Sequence, residues 1–116
     1  MVSPSVGAVV LVTFPFSDLS QAKLRPAIVL ANAQKKDWVL CQVTSNSYTD
    51  TTAVQITNDS FISGSLRRTS YVRPGKLFTA SSSLIVSQVG TLQRAVLREI
   101  IESVVSLLRQ PFSVEH

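Results

Sequence analysis

From Val6 to Phe14 the chain reads Val-Gly-Ala-Val-Val-Leu-Val-Thr-Phe, β-branched and apolar almost throughout. It stops at Pro15-Phe16-Ser17-Asp18, where proline withholds a ladder donor and serine and aspartate favour a turn. A second apolar run, Arg25 to Ala31, and a third, Trp38 to Ser45, flank Gln34-Lys35-Lys36-Asp37. That arrangement predicts an antiparallel hairpin. Short extended pieces follow at Ala53–Ile56, Phe61–Ile62, Ser70–Arg73 and Leu77–Thr79, parted by Thr, Asn, Ser, Asp and Gly clusters, and a last one ends at Gly90. Short strands at this spacing predict a small barrel. Beyond Gly90 the period changes: Leu92, Val96, Ile100, Val104 and Leu107 or Leu108 recur at helical spacing behind Thr91, a candidate N-cap. A helix of roughly 18 residues, about 27 Å long, must bury that stripe against the sheet or a second copy. Without repeat or linker, residues 1–116 are expected to form a single domain, mostly β with a C-terminal helix.

Composition narrows the chemistry. The 116 residues are 45% hydrophobic and 16% charged, with a mean hydropathy of +0.26, too apolar for a disordered chain. No apolar run approaches the roughly 20 residues of a spanning helix. The first 25 residues hold no basic segment followed by an apolar block, so we expect no signal peptide and a cytoplasmic protein. Cys41 is the only cysteine, expected in the core, and the single histidine is His116, in a terminal segment expected to fray. Zinc sites and histidine-dependent hydrolases thereby lose their usual groups. None of the seven carboxylates falls in a metal-cage motif, so no cofactor is expected. Charge is distributed unevenly. Residues 1–36 carry four basic groups and one acidic, 37–66 three acidic, and 67–116 seven basic and three acidic, for a net charge of +4. A basic face of this kind fits a polyanion, while an ordinary soluble surface is the other use of the same charges.

The stretches GAVVLVTFPFSDLSQAKLRPAIVLAN, WVLCQVTSN, YVRPGKLFT and VGTLQRAVLREIIESVVSLL resemble the MazF/PemK family of type II toxin–antitoxin ribonucleases. The Phe14-to-Leu19 loop followed by Lys23-Leu24-Arg25-Pro26-Ala27 is the specific part of that resemblance. It implies an SH3-like barrel of the MazF/CcdB type, a homodimer, cleavage of single-stranded RNA, and inhibition by a cognate antitoxin. A CcdB-like gyrase-inhibiting toxin and a catalytically silent RNA-binding barrel are the alternatives. Two positions depart from the family pattern: Ala8 stands where an Asp commonly follows Gly7, and Gly75 where some members place an acidic partner for the Arg at position 73.

Metal-free RNA cleavage sends the 2′-OH against the adjacent phosphorus and leaves a 2′,3′-cyclic phosphate, so an anionic phosphorane must be stabilised. Arg25 is the candidate: its guanidinium grips two phosphate oxygens, and Pro26 holds it out of helical geometry at a strand start. Its alternative use is an ion pair with Asp18. Thr44 ends the strand predicted to pair with that of Arg25, and the resemblance carries the family's strand-end threonine onto it. A hydroxyl is a poor general base, so Thr44 is assigned to orienting the phosphate or relaying a proton. Ser45 is the alternative one residue on, and a local backbone bond is the alternative use of either. Lys23, Arg67, Arg68, Arg73 and Lys76 are candidate phosphate contacts, with solvated surface as their other reading. Phe16 is a candidate stacking platform, Asp18 lies in the same loop, and Asn46 is a candidate base-edge reader. Trp38 is expected in the core or a dimer seam.

Overall fold

Alternation along β1 (Ala8–Phe14) sends neighbouring side chains to opposite faces of a sheet, and both faces are buried. Val9 joins Ile28, Cys41, Val43, Val72 and Ile100 in one apolar cluster. Ala8, Val10 and Val12 join Ala27, Val29, Leu40 and Ile85 in a second, with Trp38 and Phe78 packed against it. A strand covered on both sides has no polar face to present, which accounts for the unbroken apolar character of the first run.

The computed structural model describes residues 4–14, 23–47 and 49–112. After β1 come β2 (Lys23–Gln34), β3 (Asp37–Thr44), β4 (Val54–Ile56), β5 (Phe61–Gly64), β6 (Ser70–Ser81), β7 (Ile85–Leu92) and α1 (Arg94–Leu108), with short 3₁₀ turns at Asn58–Ser60, Ser82–Leu84 and Gln110–Phe112. The strands form a seven-stranded sheet in the order β4-β6-β3-β2-β1-β7-β5. Each pairing is antiparallel, and the sheet curls into a half-barrel. This is the mostly-β fold with a C-terminal helix that the sequence predicts. The helix lies across β6 and β4, contributes Ile100 to the first cluster and also buries Val104.

Two elements differ from the sequence reading. Ser70–Arg73 and Leu77–Thr79 are not separate strands but parts of one 12-residue β6. Its register to β3 slips between Cys41 opposite Leu77 and Val43 opposite Val72, so Arg73 to Lys76 form a bulge. A bulge is where a strand tolerates proline, and Pro74 is fully buried there. Cys41 Sγ donates to the Arg73 carbonyl at 2.9 Å, tying the bulge to β3. The second difference lies at the helix start. Thr91 is not the N-cap, because it is still in β7, opposite Ala8 and Ser63. Gln93 is the N-cap residue, and its side-chain amide donates to the Asp59 carbonyl at 2.7 Å.

Close backbone approach fixes the β5–β7 edge. Gly64 faces Gly90 across the ladder. Gly64 has φ +76°, and a Cβ on Gly90 would stand 2.7 Å from the Phe61 ring. Neither position accepts a side chain without moving its neighbour. Ile100 is fully buried at the helix–sheet contact, so Ile100→Ala should cost about 3 kcal/mol, through lost transfer energy and a residual cavity. Urea unfolding measures this, and a loss below about 1 kcal/mol would show that α1 contributes little to the core.

Candidate functional site

Strand register decides which side chains meet. Val12 lies opposite Arg25 in the β1–β2 ladder, and Ala27 opposite Gln42 in the β2–β3 ladder. Carried two residues further, that second register sets Thr44 opposite Arg25, on one face. The row continues, since Thr44 faces Tyr71 on β6 and Tyr71 faces Gln55 on β4. Arg25, Thr44, Tyr71 and Gln55 thus occupy one line across four strands. Arg25, Thr44 and Tyr71 are half-buried and Gln55 is exposed. Further along the same face, Ala27, Val29 and Leu40 are fully buried. The face is therefore core at one end and polar surface at the other.

A cleft of about 380 Å³ lies at this end of the strands, bordered by Lys23, Arg25, Thr44, Ser45 and Arg68; its apolar walls Leu11, Pro26 and Val43 alternate with the Arg25–Thr44 row and belong to the opposite, helix-side face, so the cleft wraps the strand ends and Tyr71 and Gln55 stand outside it. Three cations thereby surround one depression, a favourable setting for a phosphate. Alternation assigns Ser45 to the face of Val43 and Thr44 to that of Arg25, and both hydroxyl residues border the cleft. Thr44 Oγ1 accepts the backbone N–H of Asn46 at 3.2 Å. That is the local bond weighed for it in the sequence. It occupies one lone pair and leaves the hydroxyl proton able to donate outward.

Other candidates lie elsewhere. Arg73 is not among the residues bordering the cleft: its Nε donates to Asp50 Oδ2 at 3.1 Å, in an ion pair whose side chains are 22% and 15% exposed. Asp50 Oδ1 accepts both the backbone N–H of Thr52 at 2.9 Å and its hydroxyl at 2.6 Å. The Thr52 carbonyl in turn accepts Ser103 Oγ of α1 at 3.3 Å. The carboxylate is held below its ordinary value by the hydrogen bonds from Thr52 and then by that from Arg73, with the Arg73 charge adding to the effect against opposing desolvation. Arg67 is exposed at φ +67°, its backbone N–H donating to Ser65 Oγ at 2.8 Å. Lys76 is exposed in the β6 bulge, and Asn46 is exposed beside Thr44. Phe16 and Asp18 lie outside the described residues. Burial pushes the Cys41 thiol up to about 12, with the Asp50 charge adding to it, so the thiol is protonated and inert near neutral pH. Among the described residues no three His, Cys, Asp or Glu side chains are grouped to hold a metal ion, and no helix is long and apolar enough to cross a membrane.

The family model described as "PemK-like, MazF-like toxin of type II toxin-antitoxin system" matches residues 5–108. The chain belongs to this family. It is a MazF-type toxin of a type II toxin–antitoxin system. Solved structures agree on the fold. A MazE–MazF structure from Deinococcus radiodurans is 23% identical with a TM-score of 0.74, covering 93% of this chain and 97% of that chain. An endoribonuclease in complex with its cognate antitoxin from a mycobacterial species is 17% identical, TM-score 0.69, covering 93% and 95%. The Mycobacterium tuberculosis toxin MazF-mt6 is 15% identical, TM-score 0.68, covering 87% and 95%. No curated protein matches the sequence.

Tyr71 and Gln55 of the toxin were not singled out in the sequence, and neither was the Asp50 partner of Arg73. The aromatic of Tyr-Val-Arg-Pro was a usable signal for Tyr71, but only the β3–β6 register puts it beside Thr44. Asp50→Asn should destabilise the toxin by about 1–2 kcal/mol at pH 7, by removing an ion pair and weakening two hydrogen bonds. Because folding depresses this carboxyl, its contribution is full above the ordinary aspartate value of 3.8 and is lost as pH falls through the lower folded value. Urea unfolding at pH 7 and pH 3 reads both: the gap between variant and parent should narrow at the lower pH, and an unchanged gap would contradict the assignment.

Proposed function

We propose that this toxin is an endoribonuclease that cuts single-stranded RNA, mRNA foremost, in the cytoplasm, without a metal. What supports this reading most is the β2–β3 register, which continued by two residues brings Arg25 level with Thr44, together with one cleft that both of them border along with Lys23 and Arg68. The 2′-OH loses its proton to solvent as it attacks the adjacent phosphorus, the P–O5′ bond breaks, the departing 5′-oxygen takes up a proton, and a 2′,3′-cyclic phosphate remains. Charge builds on the non-bridging oxygens in the transition state, and Arg25 offers a planar pair of N–H donors to them. Thr44, its oxygen engaged by Asn46 N–H, donates its proton toward the phosphate and orients it. Lys23 and Arg68 hold flanking phosphates, and Ser45 and Asn46 stand at the cleft mouth for base or sugar contacts. Phe16 and Asp18 belong to the same proposed RNA-contacting set, and Arg67, Arg73 and Lys76 to its outer basic surround. The partners proposed are a second copy of the chain and a cognate antitoxin, by likeness to the antitoxin complexes named above.

Incubating the protein with a long single-stranded RNA in EDTA and mapping the ends tests the reading. Cleavage leaving cyclic phosphate is expected. Intact RNA that is nevertheless bound would favour the silent RNA-binding barrel, and intact RNA with trapped gyrase–DNA complexes a gyrase poison. Arg25→Ala should lower kcat/KM by more than about 100-fold, roughly 3 kcal/mol of transition-state stabilisation, with an unchanged fold by circular dichroism. An active Arg25→Ala protein would reject the assignment. Thr44→Val, which conserves shape, should cost less, since the hydroxyl orients rather than carries the charge.

A further inference from the structure

We infer that Tyr71 is the stacking platform for the base next to the scissile phosphate and that Gln55, beside it, reads that base's edge. The inference rests on the endoribonuclease reading and assigns a substrate contact within it. Along β6 burial alternates: Ser70, Val72 and Pro74 are buried, and Tyr71 and Arg73 between them are half-exposed. Tyr71 belongs to neither apolar cluster. Its cross-strand partners are polar instead, Thr44 on one side and Gln55 on the other. Directly paired cross-strand side chains approach to about 5 Å, and strands are spaced about 4.8 Å apart, so Tyr71 sits about 10 Å from the Arg25 backbone position. A base hangs one sugar away from its phosphate. A phosphate held between Arg25 and Thr44 therefore delivers its neighbouring base onto the next strand outward, which is β6.

The chemistry of the row matches that placement. A half-exposed aromatic ring offers a π-face to any base, the sequence-tolerant part of single-strand binding. The exposed Gln55 amide carries both donors and an acceptor, so it distinguishes base edges where the ring cannot. Arg25 and Thr44 then act on the backbone, Tyr71 on the base plane, and Gln55 on the base edge, in consecutive strands. A purely structural tyrosine would be served equally well by any residue of similar bulk.

The test uses a single-stranded 2′-O-methyl oligonucleotide, which the enzyme binds without cutting, carrying 5-iodouridine for photocrosslinking, alongside cleavage of unmodified RNA. On irradiation the wild-type protein should crosslink at Tyr71. Tyr71→Leu should weaken binding tenfold or more, and Tyr71→Phe, which keeps the ring, should restore affinity to within about threefold of wild type. Gln55→Ala should broaden the set of cleaved sequences while the preferred site is still cut. A thermal melt of Tyr71→Leu matching wild type shows that the loss is not one of folding. Crosslinks confined to other residues, or Leu and Tyr binding alike, would overturn this inference while wild-type cleavage leaves the endoribonuclease reading standing. A wild-type protein that neither binds nor cuts RNA would overturn both.

Discussion

The β2–β3 register is the constraint on which the proposed site depends. With Ala27 opposite Gln42, the strand start bearing Arg25 and the strand end bearing Thr44 come level, and period-two alternation turns both to the same face. A slip of one residue in β3 would exchange Thr44 for Ser45, turn Cys41 and Val43 out of the helix-side cluster in which they are buried, and send Gln42 into it. The core therefore enforces the register, and the register in turn positions the site. Hydrophobic burial acts on the candidate chemistry at this one remove, since the residues that make the site contribute little to the clusters that align it.

Polarity along the second face follows from the same arrangement. Where β1, β2 and β3 are central, Val10, Ala27, Val29 and Leu40 close against one another. Toward the Arg25 end the row extends over β6 to the edge strand β4, and the side chains turn polar: Thr44, Tyr71, Gln55. The bulge at Arg73–Lys76 lets β6 change register there while Pro74 stays in the core. Asp50 anchors the connection after β3 to Arg73, and Ser103 ties that connection to the helix. Asp50 and Thr52 are thus tied to β6 and α1, and Thr44 Oγ1 is itself engaged by the Asn46 N–H, which favours a preorganised hydroxyl over one that must be ordered on binding.

The sequence carried the local features well. The apolar run of β1, the Lys35-Lys36 turn between β2 and β3, and the helical spacing of Ile100 and Val104 are set by neighbours a few residues apart, and each could be read directly. Pro74-Gly75 looked like a strand break because proline and glycine usually punctuate, whereas here a bulge absorbs them within one strand. Thr91 looked like a cap because β7 holds it by pairing with Ala8 and Ser63, residues far off in the chain. The same limit applied at the site. Arg25 and Thr44 belong to adjacent strands of one hairpin and were legible together. Tyr71 and Gln55 reach the row only through β6 and β4, whose order in the sheet is not their order in the sequence. Asp50 meets Arg73 across 23 residues, so an arginine that appeared available for phosphate already has a carboxylate partner.

Whether the guanidinium and the hydroxyl act on one phosphate is most directly measured by a double-mutant cycle in RNA cleavage, comparing wild type, Arg25→Lys, Thr44→Val and the double variant by kcat/KM. Groups that share a transition state couple, so the double variant should lose much less than the product of the single losses, a coupling of about 1 kcal/mol or more. Losses that multiply independently would contradict the account, because two side chains level on adjacent strands would then not be working on the same phosphorus.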